Sequence, residues 1–267
     1  MKAVPAQAGQ SHERVATGET GAPAVRLHQQ LQGRLVLASL CLAMAFLAQS
    51  TLIQLPGDAW TLTTMLGMTL VPWIAICLLL RNGLPHHPHA AFGAANTLTL
   101  FRAVGTVLLA GWIPVAAQLT QPALVWISLF SVLLLTLDGL DGYLARRTGL
   151  ASAYGARFDM EIDALLTLII SLLVWQSGEA GIWIVTLGLM RYLFVLAATL
   201  QPELKKPLYP SFRRKLICVI QLGTLCAMLS PWIPSQWSVS LGVTACLLLV
   251  ASFARDTHWL LTRHRAA

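Results

Sequence analysis

Asp138, Asp141, Asp159 and Asp163 place four carboxylates within 26 residues of an otherwise apolar chain, in the stretch LDGLDGYLARRTGLASAYGARFDMEIDALL. On a helix, residues three and four apart share a face. Asp138 and Asp141 are spaced i,i+3, and Gly142, Ala145 and Arg146 continue their stripe. Gly155, Asp159 and Asp163 form a second stripe at i,i+4. The residues between them suit a short turn, so two adjacent antiparallel helices could aim all four acids at one spot. Four carboxylates alone would repel one another, and two divalent cations would offset that charge. Hard oxygen donors suit Mg²⁺ or Mn²⁺ better than Zn²⁺. Paired metals neutralise a diphosphate and stabilise a leaving oxygen. A carboxylate left partly free could take a proton from an attacking hydroxyl. One such Asp could equally cap a helix, but four in register beside two glycines and an arginine fit that reading poorly. Glu161 falls on a different face and is read as a bystander.

The elements that must hold these acids are membrane helices. The chain has 267 residues, 56% hydrophobic and 11% charged, against about one-quarter charged in a soluble domain. Several apolar runs reach the roughly 20 residues a bilayer span requires. Eight spans are expected, near 34–54, 60–80, 98–118, 123–145, 157–176, 182–200, 214–231 and 238–255. The fold class is therefore all-α, a polytopic membrane bundle. Residues 1–30 are polar and expected to form a disordered tail, and they lack the pattern of a signal peptide. Residues 257–267 form a basic tail. Ionisable groups near a bilayer are costly and mark function by default.

Charge placement orients the bundle. In an eight-span arrangement, the loops 55–59, 119–122, 177–181 and 232–237 contain no Lys or Arg. The basic residues gather in the termini and in the remaining loops. The positive-inside rule then makes both termini, and the carboxylate segment with them, cytoplasmic. The net charge of +7 would favour anionic headgroups there. Arg102 and Arg191 instead fall inside spans. Each could pair with an acid or bind a phosphate, and the phosphate reading is preferred for both.

The segment resembles the signature of the CDP-alcohol phosphotransferases (CDP-alcohol phosphatidyltransferases), D-x2-D-G-x2-A-R-x8-G-x3-D-x3-D. It matches at every fixed position: Asp138, Asp141, Gly142, Ala145, Arg146, Gly155, Asp159 and Asp163. Eight fixed positions recur by chance on the order of once in 10⁹ starts. The resemblance implies an integral-membrane enzyme that transfers a phosphatidyl group from CDP-diacylglycerol to a small hydroxyl acceptor, releasing CMP. It implies two divalent cations held by Asp138, Asp141, Asp159 and Asp163, with Asp163 also the base on the acceptor. It implies a CDP pocket lined by Gly142, Ala145, Arg146 and Gly155. A six-helix core over 91–256 would follow two additional spans within 31–90, and a homodimer is expected. Asn96 and Thr99 lie in NTLTLFR, which is similar to the family's entry P-N-x-L-T-x-x-R with Ala95 in place of Pro. They could contact nucleotide or cap a helix. Arg191 and Lys215 resemble the acceptor-phosphate region of phosphatidylglycerophosphate synthases, but Ile217 stands where those relatives carry a second Lys. Glycerol 3-phosphate is thus one acceptor, with inositol phosphate or an amino alcohol as alternatives.

Two other functions compete. Membrane prenyltransferases also bind diphosphates with Asp-rich helices, but their Asp motifs lie about a hundred residues apart, on separate repeats, and no second Asp-rich segment exists here. A divalent-cation transporter would need acids along a path through the membrane, yet no Asp or Glu outside the signature lies well inside a span. Nothing in the chain suggests a nucleic-acid partner. His86, His87 and His89, interrupted by prolines with no carboxylate near, read as a simple loop. The five cysteines read as packing residues. The Trp residues near span ends read as interfacial anchors.

Overall fold

The computed structural model describes residues 21–52, 58–205 and 211–262. Among them are eight α-helices and no strand: α1 (Gly21–Leu52), α2 (Ala59–Gly83), α3 (Ala94–Ala110), α4 (Gln121–Thr148), α5 (Ala153–Gln176), α6 (Val185–Leu200), α7 (Phe212–Met228) and α8 (Ser235–Thr262). Each expected span has one helix. Five segments are long and apolar enough to cross a membrane: Val25–Thr51, Ala59–His86, Gln121–Thr148, Ile182–Leu200 and Gln236–Thr262. Helix α3 is apolar but shorter, at 17 residues, roughly 25 Å of helix. The first ten residues of α1 fall in the stretch expected to be a disordered tail. Leu27 is buried there and Leu31 just after it, so tertiary packing orders a segment whose composition alone does not. Residues 1–20 of that tail and 263–267 of the basic tail lie outside the described residues.

Local chemistry sets the helix ends that matter for the acids. Helix α4 stops at Gly149, whose φ of +68° lies in the left-handed region that favours glycine. Ser152 then starts α5, its hydroxyl accepting from the Gly155 amide at 3.0 Å. The two signature stripes are thereby folded back on each other within four residues.

Helix α3 is central. It packs on α1, α2, α4 and α5, and 11 of its 17 residues are buried. Two apolar cores flank it. One joins α3, α4, α5, α7 and α8 through residues such as Leu109, Ile127, Leu166, Leu173, Met228 and Leu249. The other joins α1 and α2 to α3 and α5 through Leu31, Trp73, Leu80, Phe92, Leu100 and Phe158. The bundle's outside is apolar as well. Met44, Leu47, Val71, Trp126, Leu196 and Leu200 are all exposed, as a surface bathed in lipid requires. Trp60, Trp232 and Trp237 are exposed beside helix starts and loops, in keeping with an interfacial role. Cys226 is buried and Cys41, Cys77 and Cys246 are partly so, but Cys218 is exposed, a departure from the packing role expected of all five.

Candidate active site

The stripes meet as their spacing requires, and a fifth residue lies at their centre. Arg102, on α3, is completely buried and is surrounded by all four acids. Its Nη1 lies 3.1 Å from Asp138, 2.7 Å from Asp141 and 2.6 Å from Asp159, and its Nη2 lies 2.5 Å from Asp163. Its Nε donates to the Leu134 carbonyl at 3.3 Å. The phosphate contact expected of Arg102 is therefore not what its surroundings provide. A guanidinium held among four carboxylates in an apolar bundle has its donors engaged already.

Asp141 is the most enclosed acid, 3% exposed. Its Oδ2 accepts from Arg102 and, at 3.1 Å, from the Thr99 hydroxyl, while its Oδ1 is buried with no hydrogen-bond partner. A buried carboxylate oxygen without a donor is expensive. Asp138, Asp141 and Asp159 can bring one oxygen each within 4.8 Å of one another. Four carboxylates against one guanidinium leave a formal charge of −3. Hard donors, excess negative charge and an unsatisfied buried oxygen fit a divalent cation.

Asn96 and Thr99, on the same helix as Arg102, are buried and point to the signature. Asn96 Nδ2 donates to the Phe92 carbonyl at 2.6 Å, and a Cβ placed on Gly155 would come within 2.5 Å of Asn96 Oδ1. Any side chain at position 155 would thus displace Asn96. Gly142 is half-buried on α4, with an added Cβ only 3.4 Å from Arg146 Nη1, and Arg146 itself is exposed. Ala145 lies on the same helix. The signature positions expected to face CDP are accordingly gathered at one end of α3, α4 and α5.

A cavity of about 560 Å³ opens beside the acids, between α4, α5, α6, α7 and α8. Asp138, Asp163, Arg191 and Arg214 all form part of its wall. Arg191 was expected to meet a phosphate, and it does face this space. It is also paired with Glu161 at 2.5 Å, so Glu161 is not the bystander its helix face suggested. Lys215 is exposed and is not among the residues lining the cavity; its neighbour Arg214 is. Adjacent helical residues point about 100° apart, and the sequence of three basic residues does not reveal which one turns inward. Asp256, buried on α8, was not anticipated. It pairs with Arg213 at 2.8 Å and lies 3.6 Å from Arg214.

A model of the CDP-alcohol phosphatidyltransferase family matches residues 92–254. No curated protein and no solved structure matches the chain. The matched range is more than half of the sequence and includes Arg102, the four acids and most of the cavity wall. Members of the family use divalent cations, in agreement with the donor set. The chain therefore belongs to the CDP-alcohol phosphatidyltransferase family, and is an integral membrane transferase of phospholipid biosynthesis that moves a phosphatidyl group from a CDP-alcohol to an alcohol acceptor.

Proposed function

We propose that the donor is CDP-diacylglycerol, that the acceptor is a small polyol carrying a phosphate, with glycerol 3-phosphate the leading candidate, and that CMP is released. The observation that carries this reading is the convergence of four signature acids beside a cavity walled by Arg191 and Arg214. Asp138, Asp141, Asp159 and Asp163 would hold two divalent cations, Mg²⁺ or Mn²⁺. When bound, these supply charge neutralisation of the diphosphate and of the departing CMP oxygen. Gly142, Ala145, Arg146, Gly155, Asn96 and Thr99 would contact the CDP moiety. The small residues let backbone approach the ligand closely, and Arg146 offers a fork for phosphate.

Asp163 takes the proton of the acceptor hydroxyl. Both the acid cluster and the cavity include it, and its side chain is 40% exposed whereas that of Asp141 is 3% exposed. A general base must reach both its activating environment and the incoming hydroxyl. The oxygen so activated attacks the β-phosphorus, a new P–O bond forms, and the bond to CMP breaks. Arg191 Nε is buried with no hydrogen-bond partner, and an acceptor phosphate would satisfy it. This favours a phosphorylated acceptor over an amino alcohol, whose ammonium has no oxygen to accept from that Nε. Inositol phosphate shares the favoured chemistry.

The described ends of the chain lie at the end of the bundle that carries the acids. Arg34, early in α1, donates to Gly93 at the start of α3, and Arg213, at the start of α7, pairs with Asp256 near the end of α8. With the basic residues of the termini and the loops on that side, this supports cytoplasmic termini and a cytoplasmic active site. We propose a homodimer on family grounds. The deciding experiment incubates purified protein with CDP-diacylglycerol, Mg²⁺ or Mn²⁺ and a panel of acceptors, and identifies the lipid by mass. Phosphatidylglycerophosphate is the expected product. A product only with an amino alcohol would overturn the acceptor assignment, and no CMP release with any acceptor would overturn the donor.

A further inference from the structure

Helices α1 and α2 lie outside the family match, yet they touch the site end of the core through an unusual set of polar contacts. Arg34 Nη1 donates to the Gly93 carbonyl at 3.1 Å, and its guanidinium stacks 5.1 Å from the centre of the Phe92 ring. Gln30 Oε1 accepts from the Phe92 amide at 3.2 Å. Phe92 is fully buried and Gly93 has a φ of +82°, so this turn is tightly determined where it launches α3. One turn later stands Asn96, bonded back to the Phe92 carbonyl and packed against Gly155.

The second attachment comes from the α2 end. His87 is buried, and its Nε2 lies 2.9 Å from the Ala91 carbonyl. A carbonyl only accepts, so it is Nε2 that donates. The Ser152 hydroxyl lies 3.4 Å from the ring's Nδ1 and accepts from the Gly155 amide. His87 thereby orients the hydroxyl that caps α5. Tyr154 adds a hydrogen bond from its hydroxyl to the Leu80 carbonyl at 3.1 Å, and its ring lies 5.0 Å from that of His87. His89 Nε2 lies 3.3 Å from the Ala151 carbonyl. The contacts form a closed circuit: Arg34 and Gln30 to the turn at 92–93, that turn to Asn96, Asn96 against Gly155, Gly155 to Ser152, and Ser152 through His87 back to Ala91.

We infer that α1 and the α2–α3 connection form a brace that sets the spacing between the starts of α3 and α5, with Arg34 and His87 as its positioning residues. These starts carry Asn96 and Gly155 on one side of the nucleotide pocket, and Asp159 follows one turn after Gly155. The inference rests on the proposed CDP contacts of Asn96 and Gly155. Neither Arg34 nor His87 touches the acids. Loosening the brace changes the fit of the donor and leaves the acceptor cavity, on the far side of α5, as it was.

The test uses full-length protein in lipid nanodiscs. Arg34→Ala should raise the KM for CDP-diacylglycerol by about tenfold, since small displacements at a site are costly. The turnover number and the acceptor KM should stay within about twofold of wild type. Arg34→Lys, which can still donate to Gly93, should recover most of the loss. Arg26→Ala removes the same charge from an exposed position on the same helix and should change nothing. His87→Ala should reproduce the Arg34→Ala pattern. Amide exchange in Arg34→Ala should quicken at residues 92–99 and 152–159 and remain slow through α7 and α8. An unchanged donor KM, equal losses in every kinetic constant, or exchange quickened throughout the bundle would each overturn the brace. If wild type releases no CMP, it is the proposed function that fails, and the exchange pattern still decides the brace.

Discussion

The acid cluster and the cavity beside it share Asp138 and Asp163 but neutralise charge in opposite ways. In the cluster, four carboxylates from two helices surround a single arginine from a third, and negative charge remains in excess. Across the cavity, the arginines have acids of their own: Arg191 has Glu161, and Arg213 and Arg214 have Asp256. The remaining wall is mostly apolar, with Leu135, Leu187, Phe194, Ile217, Leu222 and Phe253 among its residues. One region is built to attract cations and the other to hold guanidiniums in fixed orientations. On the proposed function, the contrast would concentrate donor chemistry in one short segment and spread acceptor recognition over three later helices.

The largest break in this contrast should come from the cluster. Asp159→Ala should lower CMP release by at least about a thousandfold, because it removes a proposed metal donor and unbalances the charge around Arg102. Activity near wild type would remove Asp159 from the site. Next in size, chelation by EDTA should abolish turnover, and Mg²⁺ or Mn²⁺ should restore it; activity that survives exhaustive chelation would break the assignment of the acids as metal ligands. Asp163→Asn should slow turnover by about 10²–10⁴-fold, with a smaller effect on the donor KM, as measured by steady-state release of CMP. The cavity should respond more gently. Arg191→Ala should raise the acceptor KM by about tenfold and leave the donor KM unchanged, the effect of losing one charge-assisted contact. The smallest effect should be that of Lys215→Ala, within about twofold in every constant. A large acceptor effect there, with none for Arg214→Ala, would reverse the assignment of the inward-facing residue.

These differences follow what a sequence can and cannot carry. The acid stripes were legible because i,i+3 and i,i+4 spacings are local, and a turn of four residues leaves the two helices little choice but to face each other. The eight helices were legible from hydropathy and from breaks such as the Gly149 stop. Arg102 was visible as an anomaly, but its partners are 36 to 61 residues away, and helical periodicity contains no information about which neighbour a buried charge will meet. Glu161 was misjudged for the same reason. It does face away from Asp159 and Asp163, and the helix on that side happens to bring Arg191. The choice between Arg214 and Lys215 depends on a rotation of α7 of about 100°, fixed by packing alone. The helical start of α1 was hidden because its polar residues dominate the composition while two leucines, Leu27 and Leu31, make the burial.

The apolar core shared by α1, α2, α3 and α5 has a consequence for how the chain is made. Leu31, Trp73 and Leu80 leave the ribosome well before Phe158 and Ile162, which complete the same core. At typical translation speeds the interval is on the order of ten seconds. During it the inner positions of α1 and α2 lack the partners that α3 and then α5 bring. The amino-terminal segment therefore gains its packing only when the later helices arrive. A substitution on its inner face would be felt first as poor assembly in the membrane, before any enzyme exists to be assayed.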